Sequence, residues 1–211
     1  MTTDVTRCAK KSRGRPKVFD REAALDKAMT LFWQHGYEAT SLSDLVEATG
    51  AKAPTLYAEF TNKEGLFRAV LDRYISRFAA KHEAQLFCEE KTVEQALQDY
   101  FCAVATCFTS KDTPAGCFMI NTSATLAASS KEIANTVKSR HAMQEETLST
   151  FLAQRQQRGE IPAHCRPQEL AQYLSCILQG MSISAREGAT LEKLQGITQT
   201  TLRLWPELLK L

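Results

Sequence analysis

Residues 39–67 read ATSLSDLVEATGAKAPTLYAEFTNKEGLF, and the organisation of the chain turns on how this stretch folds. Ser41-Leu42-Ser43-Asp44 has the spacing of a capping box, with Asp in place of Glu. A helix therefore starts at Thr40 or Ser41, buries Leu42, Leu45 and Val46, and ends at Gly50. After a four-residue turn, Pro54 suits the first turn of a short third helix, because its missing N–H would be unpaired there anyway. Leu56 and Phe60 lie four apart and point inward, which leaves Thr55, Tyr57 and Glu59 outside. Thr61-Asn62-Lys63-Glu64 reads as a second capping box. It opens a long fourth helix through Leu66, Phe67, Val70, Leu71, Tyr74 and Phe78 that ends before Lys91. Upstream, Asp20 caps a first helix with a stripe of Ala24, Leu25, Ala28, Leu31 and Phe32, terminated by Gly36.

Helix two, the tight turn at Gly50 and helix three make a helix-turn-helix, in which the second helix of the pair enters the major groove of DNA. Its groove-facing residues must be small or able to hydrogen-bond, and Lys52, Ala53, Pro54, Thr55 and Tyr57 meet that demand. Ala and Thr methyls can touch the thymine methyl, and the Thr and Tyr hydroxyls can reach phosphate oxygens. Thr40 stands ahead of helix two, whose N-terminus favours a phosphate, and Lys63 opens helix four beside the same backbone. Three short helices can also form a plain bundle. Lys52, Thr55 and Tyr57, which have no role in a core, favour the nucleic-acid reading.

A basic arm precedes these helices. Arg7, Lys10, Lys11, Arg13, Arg15 and Lys17 stand against one acid, Asp4, although the whole chain is only +2. Residues 1–18 read as a disordered tail. Within it Arg13-Gly14-Arg15-Pro16 is the core of an AT-hook-like sequence: the glycine lets the backbone lie flat in the narrow minor groove, and the arginines seek its negative potential at A·T runs. The alternative is a solvated charge run with no specific target.

Beyond the fourth helix, periodicity predicts five more, over 92–110, 115–128, 131–158, 167–186 and 190–209. The fold class is all-α. Residues 1–18 form the arm, 19–66 the helix-turn-helix domain, and 67–211 a helical domain joined to it by the long helix. No apolar stretch approaches a membrane span, and the N-terminus lacks the apolar run of a secretory signal, so a cytoplasmic protein is expected. No nucleophile elbow, phosphate loop, dinucleotide fingerprint or zinc-protease motif is present, so no residues support an enzyme, and no cofactor is required.

The stretch Ala39–Phe67, with the preceding Ala23–Tyr37, resembles the DNA-binding signature of the TetR family of transcriptional regulators. Its most specific parts are Thr55-Leu56-Tyr57, Phe60 three residues on, and Asn62-Lys63-Glu64. The rest of the chain is similar in helix pattern and in short phrases such as GCFMINTS at 116–123. Lys52-Ala53 departs from the family, whose members often carry Ser then Lys there. The resemblance implies a homodimeric repressor of operator DNA. The last two helices would pack as a four-helix bundle across the dimer axis. The middle helices would enclose an inducer pocket whose occupation respaces the recognition helices. A helical protein-interaction module is the alternative without DNA.

The signal is less legible. The cysteines are Cys8, Cys88, Cys102, Cys107, Cys117, Cys165 and Cys176, an odd count that suits thiols in a reducing compartment. Three readings stay open. An apolar small molecule could bind among Phe101, Phe108, Phe118, Met119, Leu126 and Phe151. Thiol chemistry could occur at Cys117, whose place after Gly116 at a helix N-terminus would lower its pKa. A soft metal, Cu(I) above all, could use Cys102, Cys107, Cys117, Met119, His141, Met143, His164, Cys165, Cys176 and Met181. Cys102 and Cys107, five apart, do not share a helix face.

Overall fold

The computed structural model describes residues 19–125 and 131–210. Every regular element among them is helical. Three helices open the chain: α1 (Arg21–Ala39), α2 (Leu42–Thr49) and α3 (Ala53–Phe60). Asp20 caps α1 by accepting the Ala23 N–H at 3.0 Å. The Ser41–Asp44 box closes in both directions, at 3.1 Å and 2.7 Å. Gly50 ends α2 in the left-handed conformation, its N–H bonded to Val46 O. Leu56 and Phe60 turn into the core as their spacing requires.

Three local expectations are corrected. Helix α1 breaks at Gly36 (φ 81, ψ 171) but resumes as far as Ala39. The N-cap of α4 (Lys63–Tyr74) is Asn62, not Thr61. The chain reverses at Thr61 (φ 68), which moves the first free side-chain acceptor one residue on, and Asn62 Oδ1 takes the Gly65 N–H at 2.8 Å. Gly65 is there for closeness: a Cβ on it would stand 2.0 Å from Phe60 O, so α4 starts directly on the end of α3.

The third correction concerns the long helix. Helix α4 passes through a π-helical turn at Ile75–Ala79 and a last short helix, α5 (Ala80–Glu83), then stops. Turns follow, because Leu86 is drawn fully into the core and a buried arginine claims the backbone beyond it. Arg155 donates to Cys88 O at 2.8 Å and Lys91 O at 2.9 Å, with its charge balanced by Glu160. Burying a guanidinium is tolerable only when it is paired and its donors are filled, as here. The chain then forms α6 (Val93–Phe108), α7 (Phe118–Thr125), α8 (Lys131–Gln157), α9 (Pro167–Arg186) and α10 (Leu191–Leu208). Helix α8 packs along α9 and α10 along α6, while α7 lies against α1.

One continuous apolar core runs through both halves. Its aromatic centre is where they meet. Phe118 of α7, fully buried, touches Trp33 of α1 and Phe67 and Tyr74 of α4, with ring centres 6.0, 5.6 and 5.3 Å away. Phe118 is therefore a wedge between the halves rather than one wall of a pocket, and the connection is made by α7 as well as by α4. Phe101, Phe108, Met119 and Phe151 are likewise core residues; Leu126 lies outside the described residues.

Candidate nucleic-acid interface and sensing junction

Helix α3 presents one face to solvent. Tyr57 is 44% exposed, Lys52 and Pro54 are exposed, and Ala53 and Thr55 are half-buried, while Leu56 and Phe60 anchor the opposite face. Lys52 caps α3 with its backbone only: its carbonyl accepts from Thr55 and Leu56 at 2.9 and 3.1 Å, and its ammonium stays free of the cap. Glu59 on the outer face is neutralised by Arg21 at 2.7 Å, which removes a charge that phosphates would repel. Lys63 is half-buried with Nζ 4.4 Å from the centre of the Tyr37 ring, and desolvation lowers its pKa. Lys52, Ala53, Pro54, Thr55, Tyr57 and Lys63 are thus carried by α3 and the start of α4.

Thr40 does not belong with them. It is 1% exposed, and its hydroxyl donates to Gly36 O at 2.8 Å, closing the chain after the break in α1. Its side chain is structural, so the expected phosphate contact from it is withdrawn. Arg13, Gly14 and Arg15, with Cys8, lie outside the described residues.

The sensing candidates do not converge as one set. Among the described residues no three or more His, Cys, Asp or Glu side chains gather as metal ligands. Cys176 is exposed on α9, Cys102 is half-buried on α6, and Met119 is buried in α7. Cys165 is buried, its thiol donating to Leu209 O at 3.2 Å. The Gly116 N–H bonds Phe108 O at 2.9 Å, which folds the loop that carries Cys117 back on the end of α6.

Cys117 occupies the junction of the halves. Its sulfur is 3.3 Å from Tyr74 Oη on α4, and its N–H donates to Ser182 Oγ on α9 at 2.8 Å. The expected lowering of its pKa is overturned. Complete burial pushes the Cys117 thiol up, and the hydrogen bonds from Tyr74 and from the Ile120 and Met119 amides offset this only in part. Desolvation also pushes Cys107 up, to about 11. Here burial outweighs the helix N-terminus. Gly116 makes the packing possible: a Cβ there would lie 2.8 Å from Ser182 O, and its φ is +80°. Sequence reasoning missed Tyr74 and Ser182; one reads as a core aromatic and the other as a small helix residue, and only the fold brings them to Cys117.

A model described as "Bacterial regulatory proteins, tetR family" matches residues 24–70, and one described as "Tetracyclin repressor-like, C-terminal domain" matches 93–200. The chain belongs to the tetR family. It is 80% identical over the full length of both proteins to the HTH-type transcriptional repressor ComR of Escherichia coli K12. It is 30% identical to the repressor BdcR of the same organism, over 90% of this chain and 91% of that one. Among solved structures, a cysteine mutant of the TetR-family regulator CifR in complex with 26-bp operator DNA superposes with a TM-score of 0.86. That match has 29% identity and covers 91% of this chain and all of the other. The helix-turn-helix built by α2 and α3 and the helical body below it are the two parts of this family's fold. No described helix is long and apolar enough to cross a membrane.

Proposed function

We propose that the chain is a homodimeric repressor that holds operator DNA through the outer face of α3 and is released by a signal received at Cys117. The exposed Lys52 and Tyr57, with half-buried Thr55 between them, on a helix locked by Leu56 and Phe60 carry the DNA reading. Lys52 and Ala53 address base edges, Pro54 fixes the first turn of the helix, and Thr55, Tyr57 and Lys63 address phosphates. Arg13, Gly14 and Arg15 follow the neighbouring minor groove. Residues 1–18 serve as arm, 19–66 as reader and 67–211 as the dimerising and sensing body. The partner is a second copy: α9 and α10 leave Ile183 (51% exposed), Leu204 (47% exposed), Gly180 and Gly196 uncovered within one protomer. CifR and its operator complex support this geometry. A repressor of this kind works in the cytoplasm, and we assign no catalytic step to it.

The contact Tyr74 Oη···Cys117 Sγ carries the proposal for the signal, because the Tyr74 ring packs in turn on Trp33 of the reader, 5.2 Å between ring centres. The chemistry favours Cu(I). Burial pushes the Cys117 and Cys107 thiols up, which slows any oxidation that needs a thiolate. A soft cation displaces the thiol proton on binding, and a sulfur donor suits Cu(I) better than a hard ion. An apolar or oxidising inducer is the alternative. Operator release by Cu(I), hydroperoxide and apolar compounds, measured for the wild type and Cys117→Ser, separates the three. The expected result is Cu(I)-driven release that the variant loses while still binding DNA. Metal-driven release that the variant keeps sinks the thiol reading, and release by apolar compounds alone returns the signal to a pocket.

A further inference from the structure

Between α1 and α2 lies a cleft of about 500 Å³, lined by Leu31, His35 and Ala39 on one wall and Asp44, Glu47 and Ala48 on the other. Its two carboxylates differ from most of their neighbours. Glu22, Asp26, Glu59 and Glu64 are each neutralised by an arginine. Asp44 and Glu47 have no Lys or Arg within ion-pair distance among the described residues. The unit from Asp20 to Glu64 carries eight acids against four Lys and Arg, an unfavourable balance for a surface that must approach phosphates.

The same chain carries the complementary charge, because residues 1–17 hold six Lys and Arg against one acid. We propose that, when no DNA is bound, this basic arm lies in the cleft of its own protomer, with Lys10 and Lys11 against Glu47 and Asp44. The operator must then draw it out. Reach permits this. From Asp20 to His35 the helix rises ~22 Å. Lys10 and Lys11 stand nine or ten residues before Asp20 and span up to ~33 Å when extended. The walls suit a lysine-rich strand: aliphatic stems lie along Leu31, Ala39 and Ala48 while ammonium groups meet the carboxylates. Cleft and minor groove then compete for one set of charges, and docking lowers affinity for sites that use the arm by the fraction of protein in which the arm is free. The inference rests on the arm being a DNA-contacting element, but its first test needs no DNA.

Carbodiimide coupling of the intact protein joins a lysine amine to a carboxylate as an amide, the reagent taking up the water as a urea. Mass spectrometry should find Lys10 or Lys11 joined to Glu47, and the product should vanish with saturating operator duplex and in Glu47→Gln. Absence of that peptide, or the same yield on DNA, overturns the proposal. A second measurement is operator affinity for Glu47→Gln in the full chain and in a chain lacking residues 1–17. Glu47 is exposed, so the fold should tolerate the change. Affinity should rise severalfold in the full chain and stay unchanged without the arm. An equal gain in both would reduce the effect to a general field and sink the docking.

Discussion

Arg73 of α4 forks onto Asp26 of α1, with Nε–Oδ1 at 2.7 Å and Nη2–Oδ2 at 2.9 Å, while Arg77 reaches the same carboxylate at 2.9 Å. The pair fixes the angle between the helix that backs the reader and the helix that leaves it. The hydrogen bond from Arg73, then the two positive charges, hold the Asp26 carboxyl below its ordinary value against the opposing effect of burial. A depressed folded pKa stabilises fully above the unfolded value of about 3.9, and that stability is lost as pH falls through the folded pKa. Asp26→Asn should therefore cost about 1 kcal/mol at pH 7, limited by the partial exposure of the pair. The gap from wild type should begin to narrow below about pH 4 and vanish once pH is well below the folded pKa. Denaturant titrations at several pH values check this; a gap that does not narrow at all between about pH 5 and about pH 2 would mean the carboxylate charge is not what matters.

The recognition face gives the second prediction. Tyr57→Ala should weaken operator binding about tenfold, ~1.4 kcal/mol. The melting temperature should hold, since the side chain is 44% exposed. Leu56→Ala, one residue away and 3% exposed, should do the reverse and destabilise the fold by ~2–5 kcal/mol. Paired anisotropy and thermal melts read both. Unchanged affinity for Tyr57→Ala and for Thr55→Ala would remove α3 from the interface.

Deleting residues 1–17 should lower operator affinity and flatten its salt dependence by ~0.9 in log–log slope for each phosphate that the arm no longer neutralises. Arg13→Ala with Arg15→Ala should hurt most on sites flanked by A·T runs. An equal loss on G·C-flanked sites would make the arm a tether without preference.

Cys107 offers a test of the thiol chemistry without any inducer. With its pKa raised to about 11, its thiolate is scarce at neutral pH. Alkylation by iodoacetamide, followed peptide by peptide, should accelerate about tenfold per pH unit above pH 7 and level off only near pH 11. A plateau by pH 8 would reveal an activated thiol and reopen the oxidative reading.

The reader was legible because its grammar is local. A capping box, a glycine turn, a proline in a first turn and a two-residue apolar anchor each act within four residues, and the fold kept them at Ser41, Gly50, Pro54 and Leu56/Phe60. Errors came where a distant partner decides. Nothing beside Glu83 in sequence announces that Arg155, some seventy residues on, will take the carbonyls of Cys88 and Lys91 and bend the long helix away. Thr40 looks like a phosphate ligand until Gly36 supplies its acceptor. The pKa of Cys117 followed the helix rule in sequence and the burial rule in the fold, because depth below the surface is set by Trp33, Tyr74 and Phe118 together.

Gly116 gives the body a fulcrum. The backbone just ahead of α7 rests on Ser182 of α9 so tightly that not even a methyl group fits between them, and two residues on Phe118 packs against Trp33 of the reading half. In the proposed repressor, a push received at Cys117 would pass along this short stretch to Phe118. In the proposed dimer the bearing stands on α9, one of the two helices offered to the second copy, so a push received by one protomer would load the other.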